Sequence, residues 1–241
     1  MSSPQQFLLD GELVNYEDGD TIMDAALRAG RYIPHLCHEP GYTPHGSCRL
    51  CIVKINGHFD SACTRPASNE LKVESQTADI RLKRKHLLQM LFVEGNHICP
   101  GCEKSGNCKL QALAYEHEML TPDFVHFFEN RKLDASHPDF IIDYNRCIVC
   151  ELCVRASRDL DQKSIFITTG RGINRHLAVN NAANRLADSD FSASDAAAHI
   201  CPVGAILKKH IGFEQPIDQR RYDHQTISRQ DLKAQGNKDH D

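Results

Sequence analysis

Short alternating runs of apolar and polar residues open the chain, and longer helical periods follow. Phe7-Leu8-Leu9 and Glu12-Leu13-Val14 flank Asp10-Gly11, a dipeptide suited to the tight turn between antiparallel strands. Thr21-Ile22-Met23-Asp24 predicts a capped helix start, and Gly30 ends that helix. Cys51 to Ile55 alternates toward Asn56-Gly57, a second hairpin turn, and Leu71-Lys72-Val73-Glu74 reads as a closing strand. Hairpin, helix, hairpin and strand over residues 1–76 predict a small mixed α+β domain.

The period changes at Thr77. Ile80, Leu82, Leu87, Leu88, Leu91 and Phe92 recur at helical spacing, and Gly95 ends the run. Arg81, Lys83, Arg84 and Lys85 fall on the other side and predict a solvated helix face. A loop over 97–108 precedes a second helix expected from Leu110 to Leu120, giving a helical segment over 77–120. Residues 121–138, with Pro122 and Pro138, read as a connector. Over 139–212, strands are expected at Phe140–Ile142, Ser164–Thr168 and His176–Val179, with an Ala-rich, helix-prone stretch at Asp188–His199. Residues 213–241 form a polar tail.

Charge and composition exclude several classes. The net charge of −4 over 241 residues offers no basic footprint for nucleic acid. No apolar run approaches the roughly 18 residues of a membrane span. The N-terminus lacks a basic region followed by an apolar stretch, so a cytoplasmic location is expected. What stands out is eleven cysteines beside no tryptophan. Disulfides suit a reducing compartment poorly, and an odd count prevents complete internal pairing. Metal binding is the leading reading.

The cysteines sort into three groups. The first is Cys37-x10-Cys48-x2-Cys51-x11-Cys63. Four thiolates can hold a [2Fe–2S] cluster, and Gly41 and Gly46 let backbone amides approach inorganic sulfide. The alternative is a zinc site with four cysteine ligands, although a zinc ribbon usually presents two C-x2-C knuckles and this group has one. The second group is Cys99-x2-Cys102-x5-Cys108, with His97 the nearest candidate for a fourth ligand. A ligand from elsewhere in the chain, a water-bound iron and zinc are its alternatives. The third is Cys147-x2-Cys150-x2-Cys153 with a distant Cys201-Pro202. In the bacterial ferredoxin run C-x2-C-x2-C-x3-C-P, the fourth cysteine ligates the other cluster. By that rule Cys201 completes the set of 147, 150 and 153. The ligand positions of a partner cluster are held by Ser157, Phe191, Ser194 and Ala197. The domain therefore reads as a two-cluster ferredoxin type that keeps one [4Fe–4S] cluster.

All eleven cysteines are used, leaving no spare nucleophile. The chain has no Walker A loop, G-x-S-x-G elbow or H-E-x-x-H. Gly170-Arg171-Gly172 lacks the third glycine of a dinucleotide fingerprint and reads as a turn. The chemistry expected is electron transfer without a substrate transformed on this chain.

In this order of groups the sequence resembles the N-terminal part of the large iron–sulfur subunit of respiratory complex I, and also iron-only hydrogenases and NAD-dependent formate dehydrogenases. Glu94-Gly95-Asn96-His97-Ile98-Cys99-Pro100-Gly101-Cys102 and Cys201-Pro202-Val203-Gly204-Ala205 look closer to the small diaphorase subunits of soluble, bidirectional NAD-reducing [NiFe] hydrogenases. The resemblance covers residues 5–225. It implies a β-grasp [2Fe–2S] domain, a His/Cys [4Fe–4S] segment and a ferredoxin-like domain with one [4Fe–4S] cluster. It also implies a hetero-oligomer with a flavin/NAD-binding diaphorase large subunit and the hydrogenase small and large subunits. FMN, NAD and the nickel–iron centre are expected on those partners. In the complex I pattern the histidine stands four residues before the first cysteine, where this chain has Gly95. The chain stops 40 residues after Cys201, which favours the hydrogenase subunit over relatives that continue into a catalytic domain. The segment Arg220–His224 is a candidate partner clamp, with disorder as its alternative.

Overall fold

The structure, a computed structural model, describes residues 4–213 and 215–236. Residues 1–3 of the expected first domain, and 214 and 237–241 of the expected tail, lie outside them. Strands β1 (Gln6–Leu9) and β2 (Glu12–Asn15) pair antiparallel, as do β3 (Ile52–Ile55) and β4 (His58–Ser61). Strand β5 (Lys72–Glu74) runs parallel to β1 and antiparallel to β3, giving the order β2-β1-β5-β3-β4. The hairpins turn where Asp10-Gly11 and Asn56-Gly57 predict, with both residues of each pair at positive φ.

Helix α1 (Ile22–Arg28) is clasped by this sheet. Thr21 caps it: Asp24 N–H donates to Thr21 Oγ1 at 3.2 Å, and Thr21 N–H donates back to the Asp24 carboxylate at 3.1 Å. Its buried Ile22, Met23, Ala26 and Leu27 join Phe7, Val53 and Val73 in one core. The result is a β-grasp domain.

Helix α2 (Ala78–Val93) starts at the expected Thr77 and buries Ile80, Leu88 and Val93. Two of its side chains correct the expected faces. Leu82 is exposed, whereas Arg84 is buried. The Arg84 guanidinium donates to the carbonyls of Leu50, Ser75 and Ile52 at 2.8–3.0 Å. It thereby satisfies three backbone acceptors from two chain segments, and it does not belong to the solvated basic face. Helix α3 (Lys109–Glu116) is shorter than expected because Glu118 turns into the left-handed region and Met119 N–H bonds back to Ala114.

The third domain is built from β6 (Phe140–Ile142), α4 (Leu152–Arg155), β7 (Phe166–Thr169), β8 (His176–Val179), α5 (Ala196–His199) and β9 (Ile206–Lys208). Strands β6 and β9 pair antiparallel, as do β7 and β8. Helix α4 runs on into a π-turn over Ala156–Leu160. In the helix-prone stretch 188–199, α-helix is confined to α5. There Asp161 accepts from the Ala196 and Ala197 amides at 2.8 and 3.1 Å and so fixes the start.

The described tail is ordered onto the body. Helix α6 (Ile227–Gly236) packs against α1 and α3, with Ile227 buried and Leu232 against the first core. In the Arg220–His224 segment, Tyr222 N–H donates to Gly106 O at 3.0 Å and Arg221 N–H to Asn107 Oδ1 at 2.8 Å.

Candidate metal centres

Cys37 lies beyond α1, Cys48 and Cys51 precede β3, and Cys63 follows β4, so the first group gathers at one end of the β-grasp sheet. All four thiols are buried. Cys51 and Cys63 sulfurs stand 3.3 Å apart. Leu36 N–H points at Cys48 Sγ, and Cys48 N–H at Cys37 Sγ, each at 3.4 Å. Hydrogen bonds from the Cys48 and Cys63 thiols hold Cys37 well below the usual thiol range, and the Cys63 thiol brings Cys51 down to about 7. Cys48 and Cys63 shift upward in return. Amides aimed at sulfur suit thiolates bound to metal.

In the middle group, Cys99 opens a 3-10 turn (Cys99–Gly101), Cys102 closes it and Cys108 stands at the start of α3. Burial pushes the Cys108 thiol up to about 12 and raises Cys99. His97 packs its ring on Phe92 with centroids 5.4 Å apart. Its Nε2 is buried without a hydrogen-bond partner among the described residues. Burial, then the charge of Arg146, pull its pKa to about 4, so the imidazole is neutral at physiological pH and keeps a lone pair to give. A Cβ built on Gly95 would lie 2.5 Å from His97 Nε2. The histidine two residues later thus fills the space where a side chain at 95 would begin.

The third group joins Cys147, Cys150 and Cys153, around the start of α4, to Cys201 just past α5. Cys201 lies near enough to act electrostatically on all three of the others. Burial pushes Cys147 up to about 12 and raises Cys150 and Cys153 well above the usual thiol range. These are neutral thiols until a metal displaces their protons. Val149 and Glu151 both take positive φ, a costly conformation for a β-branched residue. Val149 N–H thereby faces Cys147 Sγ at 3.4 Å, and such turns make concave, anion-binding amide sets. Arg49 repeats the device between Cys48 and Cys51.

Packing occupies the positions of an absent partner cluster. Phe191 stacks edge-on with Phe140, Phe166 and His137 at 5.1–5.7 Å. Ser157 and Ala197 are fully buried, and Ser157 Oγ accepts from Ile165 N–H at 2.8 Å. Ser194 is exposed.

The third group, last in sequence, is hydrogen-bonded to segments of both other groups. Arg155 donates to the carbonyls of Cys37 at 2.5 Å, Thr43 at 2.7 Å and Cys150 at 3.4 Å. Ser47 Oγ donates to Val149 O at 3.0 Å. On the other side, Lys109 N–H, beside Cys108, donates to Pro202 O at 2.9 Å, and Asn96 N–H to Asn145 O at 2.7 Å. One apolar core contains Cys37, Cys48, Cys108 and Cys150, with Cys147 and Cys201 against it. Arg146 and Arg155 join the groups yet escape a search for ligand spacing; their adjacency to motif cysteines was the available signal. Among the described residues no three donors converge as on a single ion. Nor is any helix there long and apolar enough to cross a membrane.

Comparison with known proteins gives three family matches along the chain. Residues 2–78 match the 2Fe-2S iron-sulfur cluster binding domain, 84–122 the NADH-ubiquinone oxidoreductase-G iron-sulfur binding region, and 140–207 the 4Fe-4S single cluster domain. The chain is 37% identical over 232 residues to the gamma subunit of the NAD-reducing hydrogenase HoxS of Cupriavidus necator, covering 95% of this chain and 98% of the relative. It is 28% identical over 211 residues to a subunit of the NADH-quinone oxidoreductase of Rickettsia typhi, spanning 87% of this chain but 31% of that larger protein. A solved structure, the NAD+-reducing [NiFe]-hydrogenase in the H2-reduced state, contains a chain that superposes with a TM-score of 0.91 at 50% identity, covering 94% of this chain and 96% of its own. The chain belongs to the family of iron–sulfur electron-transfer subunits that includes the gamma subunit of the NAD-reducing hydrogenase.

Proposed function

We propose that this chain is the electron-wiring subunit of a soluble NAD-reducing [NiFe] hydrogenase. Cys37, Cys48, Cys51 and Cys63 hold one [2Fe–2S] cluster. His97, Cys99, Cys102 and Cys108 hold one [4Fe–4S] cluster, and Cys147, Cys150, Cys153 and Cys201 a second. The clusters supply one-electron redox chemistry, with potentials set by burial and by hydrogen bonds to sulfur over roughly −700 to +450 mV. A flavin/NAD diaphorase subunit and the nickel–iron hydrogenase subunits lie at the two ends of the path, in the cytoplasm.

The carrying observation is the placement of the third group. Arg155 and Ser47 fasten it to the first group, while the Lys109–Pro202 and Asn96–Asn145 bonds fasten it to the middle one. This chain's residues hold three donor sets in one contiguous body, with the ferredoxin-type set as the central relay. His97 supports the middle set through a neutral ring, a buried bare nitrogen and a place beside Gly95.

The test is anaerobic purification of the native complex through this chain. Nickel and flavin in the preparation, with hydrogen-dependent NAD reduction that is lost in Cys150→Ala, support the reading. Molybdenum partners in place of nickel would assign the chain to a formate dehydrogenase or complex I-like assembly.

A further inference from the structure

Arg146 immediately precedes Cys147, yet its side chain turns away from the third group toward the middle one. Its Nη1 donates to Cys102 Sγ at 3.6 Å and to Glu103 Oε2 at 2.6 Å. Its Nε pairs with Asp143 Oδ2 at 2.8 Å. Asp143 is itself held, because its other oxygen accepts from the backbone and side-chain nitrogens of Asn145 at 3.0 and 3.1 Å. The guanidinium is therefore aimed from two sides and half-buried.

Cys102 is closed in from the third domain as well. A Cβ on Gly204 would lie 2.9 Å from Cys102 Sγ and 3.5 Å from Arg146 Nη1. Only a glycine lets this backbone come so near without displacing the sulfur. Residues beside Cys147 and Cys201 thus press on one donor of the neighbouring group. The charge of Arg146 also acts on His97, a second donor of that group.

We propose that Arg146 is a positioning residue for electron transfer: it fixes Cys102 and raises the reduction potential of the middle [4Fe–4S] cluster. The inference rests on Cys102 and His97 belonging to one cluster, as proposed above. Reduction adds negative charge, and a cation hydrogen-bonded to a ligating sulfur favours the reduced form. Glu103 and Asp143 offset part of that charge. Removing the guanidinium leaves two carboxylates facing the site, so both changes lower the potential. Arg146 adjoins Cys147 in the chain and touches Cys102, so it links the middle and third groups.

The experiment is a potentiometric EPR titration of the whole complex. It follows the [4Fe–4S] signal that is altered in His97→Ala. Arg146→Gln is expected to lower its midpoint by about 59 mV, a tenfold change in a one-electron equilibrium. Arg146→Lys keeps the charge and is expected to fall between Arg146→Gln and wild type. Glu103→Gln removes an offsetting charge and is expected to raise the midpoint, and the signals of the other two clusters stay in place. An Arg146→Gln midpoint equal to wild type, or an Arg146→Lys midpoint no higher than that of Arg146→Gln, overturns the tuning role. If Arg146→Gln loses the cluster, Glu103→Gln decides: a raised midpoint upholds the role and an unmoved one overturns it. If no signal responds to His97→Ala in the first place, the ligand assignment fails and this inference falls with it; an intact signal with an unmoved midpoint sinks this inference alone.

Discussion

The first and middle groups stand on different supports. The first hangs from a five-stranded sheet and a capped helix, with Cys51 and Cys63 inside the core of their own domain. Amides next to its own cysteines point at its sulfurs. The middle group rests on a three-residue turn and the start of an eight-residue helix. Its surroundings come from elsewhere: Asn145 and Arg146 from before α4, Gly204 from beyond α5, and Arg220, Arg221 and Tyr222 from the tail. The first group also takes Arg84 and Arg155 from outside its domain, but Cys51 and Cys63 sit in their own core. A site carried by neighbours registers them all.

The largest expected effect breaks the comparison at the tail. Tyr222 N–H donates to Gly106 O at 3.0 Å, Arg221 N–H to Asn107 Oδ1 at 2.8 Å, and α6 packs on α3. A chain ending at Gly212 is expected to lose the middle cluster and keep the [2Fe–2S] signal. Iron should fall from about ten to about six per chain. Retention of both [4Fe–4S] signals in that truncated chain would show that the tail does not support the middle site.

Next is the buried arginine under the first group. Arg84→Met leaves three carbonyls without their charged donor, at a cost of about 3–5 kcal/mol. Because Leu50 lies between Cys48 and Cys51, the loss should appear as a lower thermal midpoint of the [2Fe–2S] absorption while the [4Fe–4S] signals persist. Burial draws the Arg84 pKa down only to about 10, so it carries its charge at neutral pH and the effect should not depend on pH between about 6 and 8.

Smaller still is Gly204→Ala. Overpacking against Cys102 costs about 1–3 kcal/mol and should change the line shape of the middle cluster's EPR signal, leaving the [2Fe–2S] signal unchanged. Thr21→Ala, which removes the α1 cap, costs about 1 kcal/mol. It should lower the denaturant midpoint of the β-grasp domain with no change in any cluster signal.

The first domain was the most legible part of the chain. Its two hairpin turns and its helix cap are local chemistry, set by Asp10-Gly11, Asn56-Gly57 and Thr21 with Asp24, and local chemistry is written in adjacent residues. The spacings that define the candidate donor groups are local in the same way, since C-x2-C is a property of one loop. The gap left by the absent partner cluster was legible too, as four positions counted from Cys153 and Cys201. What escaped is non-local. Arg84 sits in a basic run whose other members suit solvent, and its three carbonyl partners lie 9–34 residues away. Strand β9 is three residues long and exists because β6 offers it an edge. The tail reads as polar because its apolar contacts are few and spaced, with Ile227 and Leu232 doing the docking. The link from the third group to the first depends on Arg155 reaching 118 residues back to Cys37, which no spacing along the chain announces.

The account turns on three donor sets that hold iron and sulfide. The direct measurement is anaerobic iron, sulfide and zinc analysis of the isolated chain, paired with EPR of the reduced protein. The account predicts about ten iron and about ten sulfide per chain, as two, four and four, with one [2Fe–2S] and two [4Fe–4S] signals. Zinc without sulfide, or only one type of cluster at full metal loading, would contradict it.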